Sequence, residues 1–184
     1  FGAEVIKVEP PEGDAMRHWP PITQGFSENF ASLNRGKRSI ALDLKNPHHL
    51  ETARRLALEA DVLVENNRPG AMARLGLGWE WFQSRKPQLV YCSISAFGQS
   101  GPRSSQGGYH LTIQAASGVM SVTGESDGAP VKAGVPVADF TSGLYAAFSI
   151  AAMLHRARRS GTGGHIDVPM FAATLAISAL QTSE

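Results

Sequence analysis

The sequence predicts a mixed α/β fold in which a parallel sheet carries helices on both faces. Short, nearly continuous apolar runs alternate with longer segments of helical periodicity. Continuous apolar runs are typical of strands that a parallel sheet buries on both faces. Gly, Pro and Asn cluster between the segments, where they favour turns.

The apolar runs predict strands at residues 5–8, 61–64, 89–95, 131–139 and 165–168, and the alternation of apolar and polar residues predicts another at 39–44. The helical periodicity predicts helices from residue 47 and at residues 71–75, 79–84, 110–120, 141–159 and 170–180. The helix from residue 47 has Asn46 as a cap and Pro47 in its first turn. Two long loops, residues 9–29 and 95–108, are expected to carry function, because long loops in a compact fold are seldom idle.

The length, net charge, apolar runs and cysteine count of the chain exclude several classes of protein. The chain has 184 residues, a length typical of one domain. Its formal net charge of +1 argues against a nucleic-acid partner, and its longest apolar run, residues 144–154, is too short to span a bilayer. The single cysteine, Cys92, lies in an apolar strand and is expected to be a buried, inert thiol. We expect a cytoplasmic protein, or a mitochondrial or peroxisomal one in a eukaryote.

The first residues enter a strand-like run at once, with no initiator methionine and no leader pattern. A strand so close to a terminus usually pairs with an earlier segment. We therefore expect residues 1–184 to be an incomplete α/β domain that lacks its first strand and helix and a C-terminal part.

Asp139 stands where the predicted strand 131–139 meets the most apolar helix. Ligands of parallel sheets bind outside the carboxyl ends of the strands, so the loops at 65–70, 95–109 and 136–141 are candidate sites. Asp is a favoured helix N-cap, which contributes about 1 kcal/mol. The same position suits a nucleophile, because an ionised carboxylate needs no general base. The residues alone leave both interpretations open.

Common catalytic signatures do not occur: there is no phosphate loop, dinucleotide fingerprint, zinc motif or G-x-S-x-G elbow. The paired histidines, His48 and His49, fall on a predicted surface helix. Basic residues beside strand ends or loops are solvated surface charges individually, but as a set they would suit a phosphorylated ligand. They are Lys37, Arg38, Lys45, Arg68 and Arg74.

Longer motifs carry a resemblance to a known family. They occupy residues 2–11 (GAEVIKVEPP), 33–45 (LNRGKRSIALDLK), 61–70 (DVLVENNRPG), 74–78, 91–99 and 117–120. Through them the chain resembles the class III CoA-transferases, a superfamily that includes formyl-CoA transferase, carnitine CoA-transferase and α-methylacyl-CoA racemase. The resemblance implies a Rossmann-like large domain, of which residues 1–184 would form an incomplete CoA-binding and catalytic part.

The resemblance also implies site residues. Asp139 matches the family's nucleophilic aspartate. Contacts to CoA are implied for Leu42, Lys45, Asn66, Asn67, Arg68, Arg74 and Leu75. The acyl pocket is expected at Trp19, Asn29, Tyr109 and His110, the last of which stands where most relatives carry Asp. No metal site is implied.

The activity implied is transfer of CoA from an acyl-CoA to a carboxylic acid acceptor, through an aspartyl anhydride and an aspartyl-CoA thioester. CoA would be substrate and product rather than a permanently bound cofactor. The expected partners are these two substrates and a second copy of the chain in an interlinked homodimer, with no nucleic acid and no membrane. A glycine-rich oxyanion loop would lie beyond residue 184, so the isolated chain is expected to be inactive.

Two alternatives stay open. In the racemase of the same superfamily a His and the later Asp form an acid–base pair. Here His110 is one position later in the loop than that His, and is expected to point elsewhere. The second alternative is a CoA-binding fragment that catalyses nothing.

Overall fold

The computed structural model describes residues 2–181. The chain divides into two compact units, Phe1–Leu56 and Ala57–Glu184. The fold class is mixed α/β, with parallel strands and helices, as the sequence predicts.

The first unit is built on a pair of parallel strands. In chain order its elements are β1 (Ile6–Glu9), a 3₁₀ turn (Ala15–His18), β2 (Ile22–Thr23), β3 (Phe26–Ser27), α1 (Glu28–Asn34), β4 (Arg38–Ala41) and α2 (Pro47–Glu59), which continues into the second unit. Strand β1 pairs in parallel with β4, so that Val8 lies opposite Ile40. Within residues 2–181 β1 has no other neighbouring strand, and Val5, Ile6 and Val8 are more than 40% exposed.

The long loop after β1 is held in place by a buried carboxylate. Glu9 is 3% exposed, and both of its oxygens bind Arg17, at 2.7 Å each. The Ser39 hydroxyl and the Asp14 amide also donate to Glu9, at 2.6 and 2.8 Å. Arg17 in turn stacks on the Phe30 ring at 4.0 Å. The Glu9 carboxylate therefore holds the loop of residues 9–29 in place.

The second unit contains a three-stranded parallel sheet with β6 in the centre. Its elements are β5 (Val62–Glu65), α3 (Ala71–Arg74), α4 (Trp79–Gln83), β6 (Val90–Ser95), α5 (His110–Ala116), a 3₁₀ turn (Val119–Val122), α6 (Val137–Ser160), β7 (Gly164–Pro169) and α7 (Met170–Ile177). The parallel strands of the chain thus form two separate ladders, β1–β4 and β5–β6–β7.

Helices cover both faces of this sheet, as predicted. On one face, Val90, Cys92, Ile166 and Val168 pack against α6. On the other, Tyr91 and His165 lie side by side and their rings contact Trp79 of α4, with centroids 6.2 Å away in each case. Cys92 is fully buried, and burial raises its pKa to about 11. This confirms the predicted burial of Cys92, and a raised pKa favours an unreactive thiol.

Helix α6 runs back along the sheet from the carboxyl ends of the strands. It ends at Gly161, whose φ of 70° is left-handed and whose amide donates to Ala157 O at 2.8 Å. By length and composition alone α6 could cross a membrane, with a mean hydropathy of 1.4 and 22% of its apolar window buried. The apolar part of α6 is therefore longer than residues 144–154, the apolar run identified in the sequence. One face of the helix nevertheless packs on β6 and β7.

Strand β7 begins at a very close approach to β6. A Cβ at Gly163 would lie 2.1 Å from Leu89 O, a separation that no side chain tolerates. The Gly163 amide donates to Pro87 O and the Gly164 amide to Leu89 O, at 2.8 and 3.1 Å. Only glycine permits this join between α6 and β7.

The predicted strand at residues 131–139 is wrong. Residues 131–136 form no strand, and Asp139 belongs to the first turn of α6. Pro136 lacks the N–H that a sheet ladder needs and instead precedes the helix. The Val131 amide donates to Met120 O and the Ala133 amide to the Gln114 side chain, so the segment is tied to α5 and the turn after it. The predicted helix 110–120 is also interrupted, because Gly118 has a φ of 81°.

We expect Glu9 to make stability depend on pH. Its bonds to Arg17 lower its pKa from 4.5 to about 2, so its contribution is complete above pH 4.5 and is lost as the pH falls towards 2. A shift of this size corresponds to at most about 3 kcal/mol, and to about half of that because Arg17 is partly exposed and screened. Urea unfolding of full-length Glu9→Gln protein should show a loss of this size at pH 7 that shrinks below pH 4.

Glu4→Gln is the matched control, since Glu4 also pairs with an arginine but its side chain is 66% exposed. It should change the free energy of unfolding by less than about 0.5 kcal/mol. Equal losses for the two variants would show that the buried network does not stabilise the first unit.

Candidate functional site

The turn that follows β5 gathers five of the predicted CoA-binding residues. Asn66, Asn67 and Arg68 are exposed, and the Asn67 amide donates to the Glu65 carboxylate at 2.7 Å. Gly70, with a φ of 78°, then starts α3, which carries Arg74 and is followed by the half-buried Leu75.

Two guanidinium groups border this turn. Arg68 Nη2 lies 3.4 Å from the point where a Cβ of Gly107 would stand, and Arg74 Nη1 lies 3.1 Å from the equivalent point at Gly70. Glycine at both positions lets the arginines lie against the backbone. Exposed arginines held this way are suited to bind the phosphates of a ligand.

The two remaining CoA-binding predictions lie in the first unit. Leu42 is buried, at 6% exposure, and its amide donates to Glu9 O at 2.8 Å. Lys45 is exposed, and its amide is held by the Asp43 carboxylate at 3.0 Å. Both belong to the short connection between β4 and α2.

Trp19 and Asn29, predicted for the acyl pocket, also lie in the first unit. The Ser27 hydroxyl donates to Trp19 O and the Asn29 side-chain NH₂ group to Pro20 O, each at 2.7 Å. Trp19 keeps 53% of its surface exposed. The backbone around both residues is thus fixed while the indole stays accessible.

Asp139 is the third residue of α6. The preceding residue, Ala138, is fully buried and packs with Ala96 and Ile113, so the helix start is fixed against α5 and the end of β6. The Asp139 side chain itself remains exposed. Within residues 2–181 its carboxylate accepts no hydrogen bond. Pro136 occupies the N-cap position of α6 instead, and no side chain there bonds to the first amides of the helix. The interpretation of Asp139 as a helix cap is therefore wrong.

The electrostatics at Asp139 favour a reactive carboxylate. Desolvation by the surrounding protein raises its pKa above the ordinary value, and the charge of His110 opposes that rise. A carboxylate that is desolvated and lacks hydrogen bonds is a better nucleophile than one in water. The helix start beside it still favours the ionised form.

Tyr109 and His110, the last two acyl-pocket predictions, mark the start of α5. Tyr109 is 87% exposed, and the imidazole of His110 is close enough to Asp139 to affect its pKa. The structure therefore brings His110 and Asp139 into one neighbourhood, although the later position of His110 suggested that it points elsewhere.

Sequence reasoning missed one residue here. Gln114 is fully buried, and its side chain joins His110 to the backbone of Ala133. The available signal was its spacing, four residues after His110 on a predicted helix, which places both side chains on one face. The histidine pair His48 and His49 lies in the first turn of α2, and the described residues contain no group of three or more His, Cys, Asp or Glu side chains that could hold a metal ion.

Comparisons with known proteins identify the family. The sequence profile of CoA-transferase family III matches residues 1–184. The succinate–glutarate CoA-transferase of Agrobacterium fabrum is 46% identical over 189 aligned positions, which cover 98% of this chain and 47% of the relative. The succinyl-CoA:glutarate CoA-transferase of Mus musculus is 43% identical, with 96% of this chain and 41% of the relative covered.

A solved structure gives the same result. The crystal structure of a CaiB/BaiF family protein from Brucella suis is 42% identical and superposes with a TM-score of 0.94, covering 99% of this chain and 50% of that one. The chain thus spans about half the length of the relatives that it matches. Since the profile, the sequence relatives and the fold coincide over nearly every residue, the chain belongs to CoA-transferase family III.

Proposed function

We propose that the full-length protein transfers CoA from an acyl-CoA to a carboxylate acceptor. The observation that carries this proposal is Asp139, an accessible carboxylate in the first turn of α6 that accepts no hydrogen bond from residues 2–181 and whose pKa is raised by partial desolvation. Relatives bear the names of succinyl-CoA:glutarate and acetyl-CoA:oxalate CoA-transferases. We therefore propose short dicarboxylic acids as the substrates to test first.

The proposed reaction uses Asp139 as a covalent carrier. Its carboxylate attacks the thioester carbonyl of the donor, the C–S bond breaks, and a mixed anhydride and CoA thiolate form. The thiolate attacks the aspartyl carbonyl, which releases the donor acid and leaves an aspartyl-CoA thioester. The acceptor carboxylate attacks the aspartyl carbonyl of this thioester, the C–S bond breaks, and a second mixed anhydride and CoA thiolate form. The thiolate then attacks the acceptor's carbonyl, which yields the acceptor's CoA thioester and restores the Asp139 carboxylate. Each step transfers one acyl group, and no resident cofactor takes part.

The arginines at the turn after β5 are proposed to bind rather than react. Arg68 and Arg74 are exposed, and each lies against a glycine, a position from which they can contact phosphates without moving the backbone. Asn66, Asn67 and Leu75 are proposed to contact the rest of CoA. The roles of Leu42 and Lys45 rest on the family resemblance alone, as does the acyl-pocket role of Trp19, Asn29 and Tyr109. We propose a cytoplasmic location, or a mitochondrial or peroxisomal one in a eukaryote.

A second function has one observation in its favour. His110 is electrostatically linked to Asp139, as an acid–base pair would be. Such a pair would remove and return the α-proton of a branched acyl-CoA, as in the racemase of the superfamily. Incorporation of deuterium from D₂O into the acyl α-position, without CoA transfer, would favour this second function.

The full-length protein is also proposed to be an interlinked homodimer. Helix α6 leaves large apolar side chains uncovered on the side away from the sheet, with Phe140, Leu144 and Phe148 at 52%, 72% and 75% exposure. Exposed apolar surface of this kind marks an interface.

We expect Asp139 to form a covalent intermediate. Full-length protein incubated with succinyl-CoA and then hydroxylamine should carry a hydroxamate at Asp139, detected by peptide mass. Asp139→Asn should lower the transfer rate by about 10³-fold or more. Asp61→Asn, a change of an exposed aspartate before β5, is the control and should leave the rate unchanged. Full transfer by Asp139→Asn, with deamidation excluded, would contradict the proposed reaction.

Replacing Arg74 by Ala should weaken binding of acyl-CoA with little effect on turnover. A charge-assisted bond to phosphate contributes roughly 1.5–3 kcal/mol, so KM for acyl-CoA should rise about tenfold or more while kcat falls only slightly. Arg85→Ala is the control, because Arg85 is an exposed arginine that stacks on Trp81 at 4.3 Å, beyond the amino end of the sheet. A collapse of kcat with unchanged KM in Arg74→Ala would instead assign Arg74 to the chemistry.

Light scattering should report a dimer for the full-length protein. The isolated 184-residue chain should associate through its exposed apolar surface and show no transfer activity. Leu144→Glu with Phe148→Glu should reduce that association, whereas Thr52→Glu on the exposed side of α2 should not. A stable and active monomer of 184 residues would rule out both parts of this proposal.

A further inference from the structure

Gln114 is a neutral side chain in an unusual position. It is 0% exposed, next to Ile113 in the apolar cluster that joins α5 to Ala96 and Ala138. Burial of an amide without partners costs several kcal/mol by the usual transfer scales. Both ends of the Gln114 amide therefore need hydrogen bonds, and the structure supplies them.

The hydrogen-bond partners of Gln114 show where the oxygen and the nitrogen of its side-chain amide lie. The Ala133 backbone N–H, which can only donate, lies 2.9 Å from Oε1. The NH₂ group therefore faces the other partner, His110 Nδ1, at 3.0 Å. An NH₂ group can only donate, so Nδ1 must accept. In the neutral imidazole the proton is then on Nε2.

The position of the ring makes this tautomer relevant to the reaction. His110 begins α5 and Asp139 is in the first turn of α6, and the two helix starts are packed together through Ile113 and Ala138. His110 lies close enough to Asp139 for the two side chains to interact electrostatically when the ring is protonated. Nδ1 is occupied by the buried Gln114, and within residues 2–181 no hydrogen bond engages Nε2, which leaves that nitrogen available.

We propose that Gln114 is a positioning residue that holds His110 as an Nε2–H hydrogen-bond donor for the oxygens that react at Asp139. The inference rests on the proposed CoA-transfer function. The groups that would pass through the site are carboxylates, thioester carbonyls and anhydride oxygens, all of which only accept hydrogen bonds. The other neutral tautomer would present a lone pair to them and repel them. A donor fixed in advance stabilises their developing negative charge without reorganisation.

Gln114→Glu in the full-length protein tests the tautomer directly. Glutamate has nearly the same size and can still accept from the Ala133 amide, but it can no longer donate to Nδ1. The proton must therefore occupy Nδ1. With ¹⁵N-labelled histidine, the His110 Nδ1 signal of the wild-type protein should be that of an unprotonated nitrogen, and in Gln114→Glu that of a protonated one. The His110→Gln spectrum assigns the signal by its absence.

The same variant should slow transfer. Either the ring loses its Nε2 proton, or it becomes an imidazolium that pairs with Asp139 and makes it a weaker nucleophile. We expect kcat to fall about tenfold or more, with the KM for acyl-CoA changed less than about twofold. Gln88→Glu, the same change at an exposed position near the amino end of the sheet, should alter neither the spectrum nor kcat.

Two replacements of His110 separate positioning from folding. His110→Gln places an NH₂ group near the position of Nε2 and should keep most of kcat. His110→Asn can accept from Gln114 but has no atom at the Nε2 position, and should lose activity to the extent that Gln114→Glu does. Equal activity of these two variants would overturn the inference, as would a protonated Nδ1 in the wild-type protein. The spectrum needs no turnover, so this failure is distinct from a failure of the proposed function, which Asp139→Asn reports.

Discussion

The packing of α6 on β6 and β7 is the constraint on which the second unit depends. The helix buries Ala146 and Ala157 against Cys92 and Ile166 of the sheet, and apolar contact of this kind is the main source of stability in such a layer. Because α6 begins at the carboxyl ends of the strands, this contact also brings Asp139 to the edge where the turns after β5 and β6 meet. The apolar core thus positions a carboxylate that contributes nothing to it.

The sequence predicts the parts of this arrangement that depend on local pattern. Strands β5, β6 and β7 are found within two residues of their expected limits, because continuous apolar runs identify strands buried on both faces. The segment before Asp139 has a similar composition and is not a strand. The difference is where its amides bond: Val131 and Ala133 donate to Met120 and Gln114, and no local pattern reveals a partner that is brought near by folding.

The candidate site divides in the same way. Asn66, Asn67, Arg68, Arg74 and Leu75 all lie within residues 66–75, so residues that are close in sequence remain together in space. The contact between His110 and Gln114 was available from helical spacing, but their relation to Asp139 needed the packing of two helices that are distant in sequence. The four bonds to Glu9 join β1, its loop and β4, and composition alone gives no sign that this one carboxylate is buried.

The close approach at Gly163 means that the length of α6 determines where Asp139 lies. At its C-terminal end the chain is fixed against Leu89, where a Cβ would lie only 2.1 Å from the carbonyl oxygen, and its middle is fixed by Ala146 and Ala157 on the sheet. The number of residues between these points and Asp139 therefore sets the height and the direction of the carboxylate. One residue inserted between Asp139 and Ala146 would turn it by about 100° around the helix axis and move it by about 1.5 Å. Chain length within this helix thus sets where the carboxylate lies, whatever side chains the helix carries.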